Sequence, residues 1–269
     1  MTHKLRIGLI GYGRTGKAVA NVLSTDSRFE LSWIARRIAS ENAQMHPDTA
    51  IPIIGMEQQS FEELFDRHPI DAIVDFSSPE SVHNYGETVQ KHGLMLVSAI
   101  SAYSERDMDY VRSLGQSARV MCSPNITLGI NFLMIAANML RKIAPFADVE
   151  IIEQHFKEKP EVSGTALKIA ENLGIEGNQV TSLRLGGIIG EHEVIFGFPH
   201  QTVSLIHSSI RREAFGTGAA FALSQLATCD IGFYTFEDLL LLAADSELPK
   251  PGNFCNDSNG GQAQPGCSR

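Results

Sequence analysis

Short apolar runs alternate with amphipathic stretches through the first half of the chain. The run Leu5–Ile10 predicts a buried strand, the spacing over 15–23 predicts an amphipathic helix, and 30–35 predicts a second strand. Further strands are predicted over 72–76, 94–97 and 120–122, and helices over 61–65, 79–92 and 104–113. Repeated strand–helix–strand units in this order indicate a doubly wound parallel sheet.

The pattern changes after residue 127. An apolar helix is predicted over Leu128–Ile143 and a half-buried strand over 149–155. The remaining predicted elements are a helix over 163–173, strands over 181–185, 193–198 and 201–207, and helices over 215–226 and 236–244. Strands that follow one another without helices indicate an antiparallel or mixed sheet. The sequence therefore predicts an α/β fold: a Rossmann-type doubly wound parallel sheet with a second, smaller α+β domain built on a mixed sheet.

A glycine-rich turn stands at the first predicted strand–helix junction. Its six residues are Gly11, Tyr12, Gly13, Arg14, Thr15 and Gly16. In a G-x-G-x-x-G turn the first glycine permits the tight turn, the second lets backbone amides approach a pyrophosphate, and the third allows close helix–strand packing. Glycine turns between strands and helices are common, but the place of this one at the first junction favours a dinucleotide site.

The end of the second predicted strand indicates which dinucleotide binds. NAD sites usually carry an acidic residue there for the ribose 2′-hydroxyl, whereas NADP sites use arginine for the 2′-phosphate. Here Arg36 and Arg37 follow the strand, and no acidic residue occupies its end. We expect NADPH as the cofactor, with Arg36, Arg37 and Arg14 near the 2′-phosphate and NADH as the alternative. The competing interpretation is that the two arginines only solvate a loop.

The charge distribution adds to this picture. The chain has 22 basic and 31 acidic residues and a net charge of -9, which argues against nucleic-acid partners and a basic membrane-surface role. Residues 4–37 nevertheless hold seven basic side chains and two acidic ones, which suggests a local anion site. No apolar run approaches the length of a membrane span, no export signal is visible, and the four cysteines show neither metal nor disulfide spacing. We therefore expect a cytoplasmic protein that binds no metal.

The richest chemistry lies in the predicted second domain. Residues 153–166 read E-Q-H-F-K-E-K-P-E-V-S-G-T-A. Ser163 is placed to cap a helix, and the amides of Gly164 and Thr165 remain free to bind a carboxylate. His155 and Lys159 offer a proton donor and a second positive charge. Alone, the histidine is more often structural and the Ser-Gly-Thr run only a cap, but their combination downstream of a nicotinamide fold favours catalysis.

These motifs resemble those of the dihydrodipicolinate reductase family, the reductases of the lysine and diaminopimelate pathway. Family members carry H-H-x-x-K followed by S-G-T-A, and His155 and Lys159 match the first His and the Lys. Three further segments resemble family motifs: D-F-S-S-P-E at 75–80, S-P-N-I-T-L-G-I-N at 123–131 and G-G-I-I-G-E-H-E at 186–193. The resemblance extends along nearly the whole chain apart from its last 20 or so residues.

The resemblance implies roles for individual residues. The nicotinamide would reduce a cyclic imine dicarboxylate of the 4-hydroxy-tetrahydrodipicolinate type, while Lys159 or His155 supplies the proton. Substrate contacts are expected from Phe156, Lys159, Ser163, Gly164, Thr165 and Arg212. Cofactor contacts are expected from the glycine turn and the two arginines, and from Phe76, Ser77, Ser98, Ser123 and Asn125. His192 is interpreted as structural.

The resemblance also implies a domain organisation. Residues 1–127 and 213–248 would form the dinucleotide-binding domain, and 128–212 would form the substrate-binding and oligomerisation domain. A homotetramer or homodimer assembled through the second sheet is expected. Residues 249–269 are rich in Gly, Asn, Gln, Pro and Ser, so they are predicted to be a disordered tail.

Four departures from the family pattern bear on the substrate. Phe156 replaces the second histidine, and the loop before S-G-T-A is one residue shorter and lacks D-A-P. Residues 98–101 read S-A-I-S instead of G-T-T-G, and the glycine turn is also one residue shorter. Two alternatives therefore stay open: an NADP-dependent imine reductase or amino-acid dehydrogenase with a shifted substrate, and a non-catalytic dinucleotide sensor. The presence of His155, Lys159 and S-G-T argues against the sensor, which needs none of them.

Overall fold

The computed structural model describes residues 4–38, 44–46, 49–57 and 60–247, and the predicted tail at 249–269 lies outside these residues. The strands are β1 (Leu5–Ile10), β2 (Phe29–Arg36), β3 (Gln44–Met45), β4 (Pro52–Gly55), β5 (Ala72–Asp75), β6 (Met95–Ser98), β7 (Arg119–Cys122), β8 (Asp148–His155), β9 (Thr181–Arg184), β10 (Glu191–Phe198), β11 (Gln201–Ser208) and β12 (Gly232–Tyr234). The α-helices are α1 (Arg14–Thr25), α2 (Phe61–Arg67), α3 (Val82–His92), α4 (Glu105–Leu114), α5 (Leu128–Ile143), α6 (Gly164–Leu173), α7 (Glu213–Leu226) and α8 (Phe236–Glu247).

The larger sheet has the strand order β12-β7-β6-β5-β1-β2-β4-β3. Its first seven strands in this order are parallel, and β3 pairs antiparallel with β4 at the edge. The register places Ile10 beside both Ala35 and Asp75, so the carboxyl ends of the central strands are level. Chain order reverses between β1 and β5, and ligands of open α/β sheets bind in the crevice at such a switch point.

Helices cover both faces of this sheet, as the predicted doubly wound fold requires. Ile7 and Leu9 point to a core shared with α1, α7 and α8, whereas Ile10 and Trp33 point to a core shared with α2, α3 and α4. The last two helices follow the second sheet in sequence but pack on the first. A side chain at Gly218 of α7 would overlap the Ile126 carbonyl oxygen, so only glycine permits this close approach.

The smaller sheet has the strand order β11-β10-β8-β9, with β8 and β9 parallel and the other pairs antiparallel. One face packs on α5 and α6 around Ile151, Val194 and Phe196. This confirms the predicted second, mixed-sheet unit.

Three short strands, β3, β4 and β12, were not predicted. None of the three contains more than two adjacent apolar residues, whereas the predicted strands β5 and β6, which are equally short, contain three. β4 is also bounded by a proline and a glycine. The predicted helix over 79–92 also begins with a separate 3-10 turn at Pro79–Ser81. None of the helices in the described ranges is long and apolar enough to cross a membrane. Cys122 and Cys229 are free thiols.

Candidate functional site

A cleft of about 730 Å³ opens beyond the carboxyl ends of β1, β2 and β5. Among its lining residues are Gly11, Tyr12, Gly13, Arg36, Arg37, Phe76, Ser77 and Ser78. A second hollow of about 340 Å³ shares Phe76, Ser77 and Ser78 and continues to Thr15, Pro124 and Phe215. An extended, two-part cleft at the switch point can hold the two halves of a dinucleotide.

The glycine turn fits a pyrophosphate. Gly11 has φ +93°, and a Cβ there would lie 2.7 Å from the Phe76 backbone. A Cβ at Gly16 would overlap the Gly11 carbonyl, whereas one at Gly13 would meet no atom within 4 Å. The first and third glycines therefore serve packing, and the second leaves open space. No acidic side chain occupies the first turn of α1 and no side chain caps its start, so the positive end of the helix dipole is not neutralised there.

Only part of the basic N-terminal stretch lies at the cleft. Arg36 and Arg37 line it. Arg6, near the amino end of β1, pairs with Asp71 at 2.7 Å, and Arg28 pairs at 2.6 Å with the carboxylate two residues before it. The expectation that the whole basic stretch forms one anion site is therefore wrong for Arg6 and Arg28, because acidic neighbours neutralise them.

Three residues expected at the cofactor use their side chains elsewhere. Ser98 is fully buried beneath the cleft, and its hydroxyl lies 3.0 Å from the Tyr103 hydroxyl. Asn125 accepts hydrogen bonds from the amide and hydroxyl of Thr127, both at 3.0 Å, and so shapes the turn into α5. The Ser123 hydroxyl accepts the first amide of α8 at 3.4 Å. None of the three lines either hollow.

Asp75 is a buried carboxylate under the cleft wall. It ends β5, is 0% exposed, and accepts the amide and hydroxyl of Ser77 at 2.8 and 2.5 Å and the Tyr85 hydroxyl at 2.6 Å. Burial raises the pKa of Asp75 to about 6, although these hydrogen bonds oppose the shift. Asp75 therefore fixes the turn in which Phe76 and Ser77 face the cleft.

A second group of polar residues lies at one end of the smaller sheet. Along β8, the face that packs on α5 and α6 changes from Ile151 to Glu153 and then to His155. Glu153 pairs in register with His192 of β10, and His155 pairs with Arg184 of β9. Strand alternation therefore brings four titratable side chains from three strands onto one face.

Glu153 is the centre of this group. It is 0% exposed and accepts two hydrogen bonds from Arg184 at 2.8 and 3.0 Å, with others from Ser182 at 2.7 Å, His155 Nδ1 at 2.5 Å and the Ser163 amide at 3.2 Å. Burial works to raise the pKa of Glu153, but these donors, led by Arg184, outweigh it and lower the pKa to about 2. Since an ionised carboxylate only accepts hydrogen bonds, His155 carries a proton on Nδ1.

The other ring nitrogen of His155 is the one left for chemistry. Nε2 makes no hydrogen bond within the described residues, yet it is not among the atoms sealed from solvent. A Cβ at Gly190 would lie 3.0 Å from Nε2, so the missing side chain keeps this nitrogen clear.

The loop after His155 carries Lys159 and is held by Arg184. The Arg184 guanidinium donates to the carbonyls of Lys159 at 3.0 Å and Glu161 at 2.8 Å. Lys159 is half-buried, and its ammonium has no acidic partner in the described part of the chain. Phe156 is 41% exposed at the start of the same loop.

The Ser-Gly-Thr run begins α6, but Ser163 does not cap it as expected. Its hydroxyl lies 2.9 Å from Nε2 of His192 instead, so side-chain capping gives way to a bond across the sheet. The amides of Gly164 and Thr165 make no hydrogen bond within the described residues, and the space above Gly164 is open. Arg212 is exposed at the start of α7 and takes no part in this group.

Sequence reasoning missed Glu153, Arg184 and the contact made by His192. The E-x-H spacing could have indicated Glu153, because residues two apart on a strand share a face. Arg184 is 31 positions from its partner Glu153, and His192 is 29 positions from its partner Ser163. No local pattern indicates pairs this far apart, and the strand register brings Arg184 and His192 to this end of the sheet. Within the described residues, no group of three or more His, Cys, Asp or Glu could hold a metal ion.

Comparisons with known proteins identify the family of the chain. The family model for the dihydrodipicolinate reductase N-terminus matches residues 5–126, and the model for the C-terminus matches residues 126–240. A 4-hydroxy-tetrahydrodipicolinate reductase of Thermosipho africanus is 29% identical over 238 residues, which cover 88% of this chain and 98% of the relative. The corresponding protein of Caldanaerobacter subterraneus is 29% identical over 250 residues, which cover 85% and 94%.

Among solved structures, the dipicolinate-bound dihydrodipicolinate reductase from Paenisporosarcina sp. TG-14 is similar in fold, with a TM-score of 0.73 and 20% identity over 87% of this chain and 98% of that one. A diaminopimelate dehydrogenase of C. glutamicum has a TM-score of 0.55 at 12% identity, over 91% of this chain and 99% of that one. Since the two family models together span residues 5–240, the chain belongs to the dihydrodipicolinate reductase family of NAD(P)H-dependent oxidoreductases of lysine biosynthesis.

Proposed function

We propose that this protein reduces a cyclic imine dicarboxylate of the 4-hydroxy-tetrahydrodipicolinate type and prefers NADPH as its cofactor. The observation that carries the proposal is the cluster at the end of the smaller sheet, where the free amides of Gly164 and Thr165 accompany the unpaired ammonium of Lys159 and the oriented ring of His155. Amides at a helix start and an ammonium both bind carboxylates. The relatives named above, which this chain matches over most of their length, carry the name of that reaction.

Two features support NADPH. Arg36 and Arg37 line the larger hollow, and β2 ends in Arg36 rather than in an acidic residue. A guanidinium pair binds a 2′-phosphate, whereas the ribose 2′-hydroxyl of NADH needs an acceptor. Gly13 leaves the space that a pyrophosphate would occupy. When bound, the nicotinamide supplies the hydride for the reduction.

The chain's own residues would then bind the substrate, orient it and supply a proton. The amides of Gly164 and Thr165 and the ammonium of Lys159 would hold carboxylate oxygens. Glu153 fixes the His155 ring through Nδ1, which leaves Nε2, or Lys159 beside it, to protonate the reduced substrate. Phe76 and Phe215, whose rings stand nearly perpendicular 6.3 Å apart, both line the second hollow and would form an apolar wall that limits water beside a bound nicotinamide.

The cofactor preference is tested with KM values for NADPH and NADH. Arg36→Ala/Arg37→Ala is expected to raise the KM for NADPH tenfold or more and to leave the KM for NADH within about threefold, because only NADPH carries the 2′-phosphate. Arg28→Ala is the control, since it removes a positive charge from the same segment outside the cleft. Equal effects of the two variants, or equal KM values throughout, would reject the preference.

The substrate is tested by NADPH oxidation with freshly generated 4-hydroxy-tetrahydrodipicolinate. We expect turnover above about 1 s⁻¹, within the usual range of enzymes. Lys159→Ala should lower kcat/KM by about two orders of magnitude, whereas Lys157→Ala, which removes an exposed charge from the same loop, should lower it less than threefold. Tight NADPH binding without turnover of any cyclic imine would instead support the sensor.

Phe156 favours a second candidate function, the reduction of a less polar imine. It is 41% exposed where the family pattern has a second histidine, and it can neither donate a hydrogen bond nor carry charge. Turnover of the dicarboxylate below about 1 s⁻¹, together with NADP-dependent oxidation of an amino or diamino acid, would support an imine reductase or amino-acid dehydrogenase. Phe156→His should then improve the dicarboxylate reaction.

We also propose a homo-oligomer, a dimer or tetramer, formed through the smaller sheet. The face away from α5 and α6 carries Leu183 and Ile206, which are 39% and 59% exposed. Apolar side chains on an uncovered sheet face favour burial against another subunit. Light scattering of the wild type should give the mass of two or four chains, and Ile206→Glu should shift it toward one. A monomeric wild type would reject the assembly.

A further inference from the structure

We propose that His192 is a positioning residue that turns the Ser163 hydroxyl into a hydrogen-bond donor for a substrate carboxylate. The inference rests on the proposed function, because it concerns the carboxylate bound at the start of α6. Ser163 is the N-cap residue of that helix, the position from which a serine oxygen usually accepts one of the first amides. Here the oxygen makes no such bond and contacts His192 instead, so the first amides remain free for a ligand.

The direction of the Ser163–His192 hydrogen bond follows from burial. Nε2 of His192 lies 2.9 Å from the Ser163 oxygen, whereas Nδ1 is buried and has no hydrogen-bond partner among the described residues. If Nδ1 carried the ring proton, a buried N–H donor would have no acceptor, which is rare and costly in proteins. If Nε2 carries the ring proton, the buried Nδ1 has only a lone pair without a donor, which costs less than an unpaired N–H. The favoured arrangement therefore has Nε2–H donating to the Ser163 oxygen.

The surroundings keep His192 neutral. It is 5% exposed, and burial together with the nearby rings of His155 and His207 lowers the pKa of His192 to about 4. The ring therefore carries one N–H proton at neutral pH, and this N–H forms the hydrogen bond to Ser163.

The Ser163 hydroxyl proton then has no acceptor among the residues that the structure describes. Glu153 is the nearest carboxylate, but it already accepts hydrogen bonds from Arg184, Ser182, His155 and the Ser163 amide. A carboxylate has about four lone-pair sites, so these donors fill it. The remaining acceptor is an anion bound at the free amides of Gly164 and Thr165, next to the hydroxyl.

The test uses pyridine-2,6-dicarboxylate as the probe and the NADPH-loaded enzyme. His192→Phe keeps a ring of similar volume without a donor, and His192→Gln places an N–H near the position of Nε2. We expect His192→Phe to weaken binding tenfold or more, His192→Gln to stay within threefold of the wild type, and Ser163→Ala to match His192→Phe. His207→Gln is the control, because it alters the next ring along the sheet without touching Ser163.

A double-mutant cycle separates positioning from packing. If His192 acts through Ser163, the combined His192→Phe/Ser163→Ala variant should bind no more than twofold worse than either single variant. Multiplied losses, or a His192→Gln variant as weak as His192→Phe, would overturn the inference. If wild-type enzyme fails to bind the probe, the proposed function fails as well, whereas wild-type binding with multiplied losses rejects the role of His192 alone.

A measurement on the folded wild type covers the case in which His192→Phe does not fold. The ¹⁵N shifts of labelled histidine distinguish the two neutral tautomers, and the His192 signals are assigned by their loss in His192→Gln. A proton on Nε2 is the expected result. A proton on Nδ1 would overturn the inference.

Discussion

Each sheet has a buried carboxylate near the carboxyl end of a strand, and the pKa values of the two carboxylates are shifted in opposite directions. Asp75 and Glu153 are both 0% exposed and both accept several short hydrogen bonds. The donors to Asp75 are an amide and two hydroxyls, and burial raises its pKa to about 6. The donors to Glu153 include the Arg184 guanidinium, and the pKa of Glu153 falls to about 2.

The difference shows that hydrogen bonds from neutral groups only reduce the rise in pKa that desolvation causes in a buried carboxylate. A guanidinium reverses the direction of the pKa shift. The difference also separates two tasks. Asp75 shapes a turn in the wall of the cleft, and with a pKa of about 6 it titrates just below neutral pH. Glu153 must stay ionised, because it holds the ring of His155 in one orientation.

The largest effect on stability should come from removing the Arg184 guanidinium. Arg184→Met leaves the Glu153 carboxylate buried and uncompensated, and we expect it to lower the free energy of unfolding by about 3–5 kcal/mol. Urea denaturation near neutral pH measures this. Arg112→Met is the matched control, because its pair with Asp109 is exposed and should contribute less than about 1 kcal/mol. Equal effects of the two variants would contradict the comparison.

The pH dependence of stability should have opposite signs for the two carboxylates. The folded pKa of Asp75 lies above its usual value of 3.8, so its contribution falls as pH rises from about 4 to 6 and stays low above that. The folded pKa of Glu153 lies below its usual 4.5, so its contribution is present above about 4.5 and is lost toward pH 2.

Asp75→Asn removes the pH dependence that Asp75 gives to stability. Relative to the wild type, the free energy of unfolding of the variant should rise by roughly 2–3 kcal/mol between pH 4 and pH 7, because the variant loses no stability through ionisation of Asp75. The measurement is the free energy of unfolding of both proteins in urea at pH 4, 5, 6 and 7. A difference that does not change with pH would show that Asp75 has an ordinary pKa.

The smallest effect is expected from a glycine substitution that leaves both carboxylates intact. In Gly190→Ala the new Cβ would lie 3.0 Å from Nε2 of His155, so the ring must shift or lose access to substrate. We expect kcat to fall about tenfold, which corresponds to about 1.4 kcal/mol. At Gly187 a Cβ would meet nothing within 4 Å, so Gly187→Ala should keep kcat within twofold. Equal kcat values for the two variants would place the chemistry away from Nε2.

The cofactor cleft could be predicted because its residues are coded locally. The glycine turn and Arg36 with Arg37 each follow a strand long enough to show an apolar pattern. Parallel strands of matching register then bring the two segments to the same edge of the sheet. The strands β3, β4 and β12 were missed because none of them contains more than two adjacent apolar residues.

The second group could be predicted only in part. His155, Lys159 and the Ser-Gly-Thr run are close in sequence, and their chemistry was recognisable there. Arg184 comes from another strand, and its place opposite His155 depends on the register of β8 and β9, which no local pattern encodes. For the same reason Ser163 was predicted to cap α6, whereas its hydroxyl contacts His192.

The grip of Arg184 on two loop carbonyls has a consequence for how this enzyme can diversify. One guanidinium fixes Glu153 on β8 and the carbonyls of Lys159 and Glu161 in the middle of the loop, so this part of the loop is tied to the strand. Loop positions outside these ties, Phe156 among them, can then vary without moving His155. Under the proposed function, substrate range and proton delivery can then be mutated separately, and this loop is the place to begin when changing the imine that the enzyme accepts.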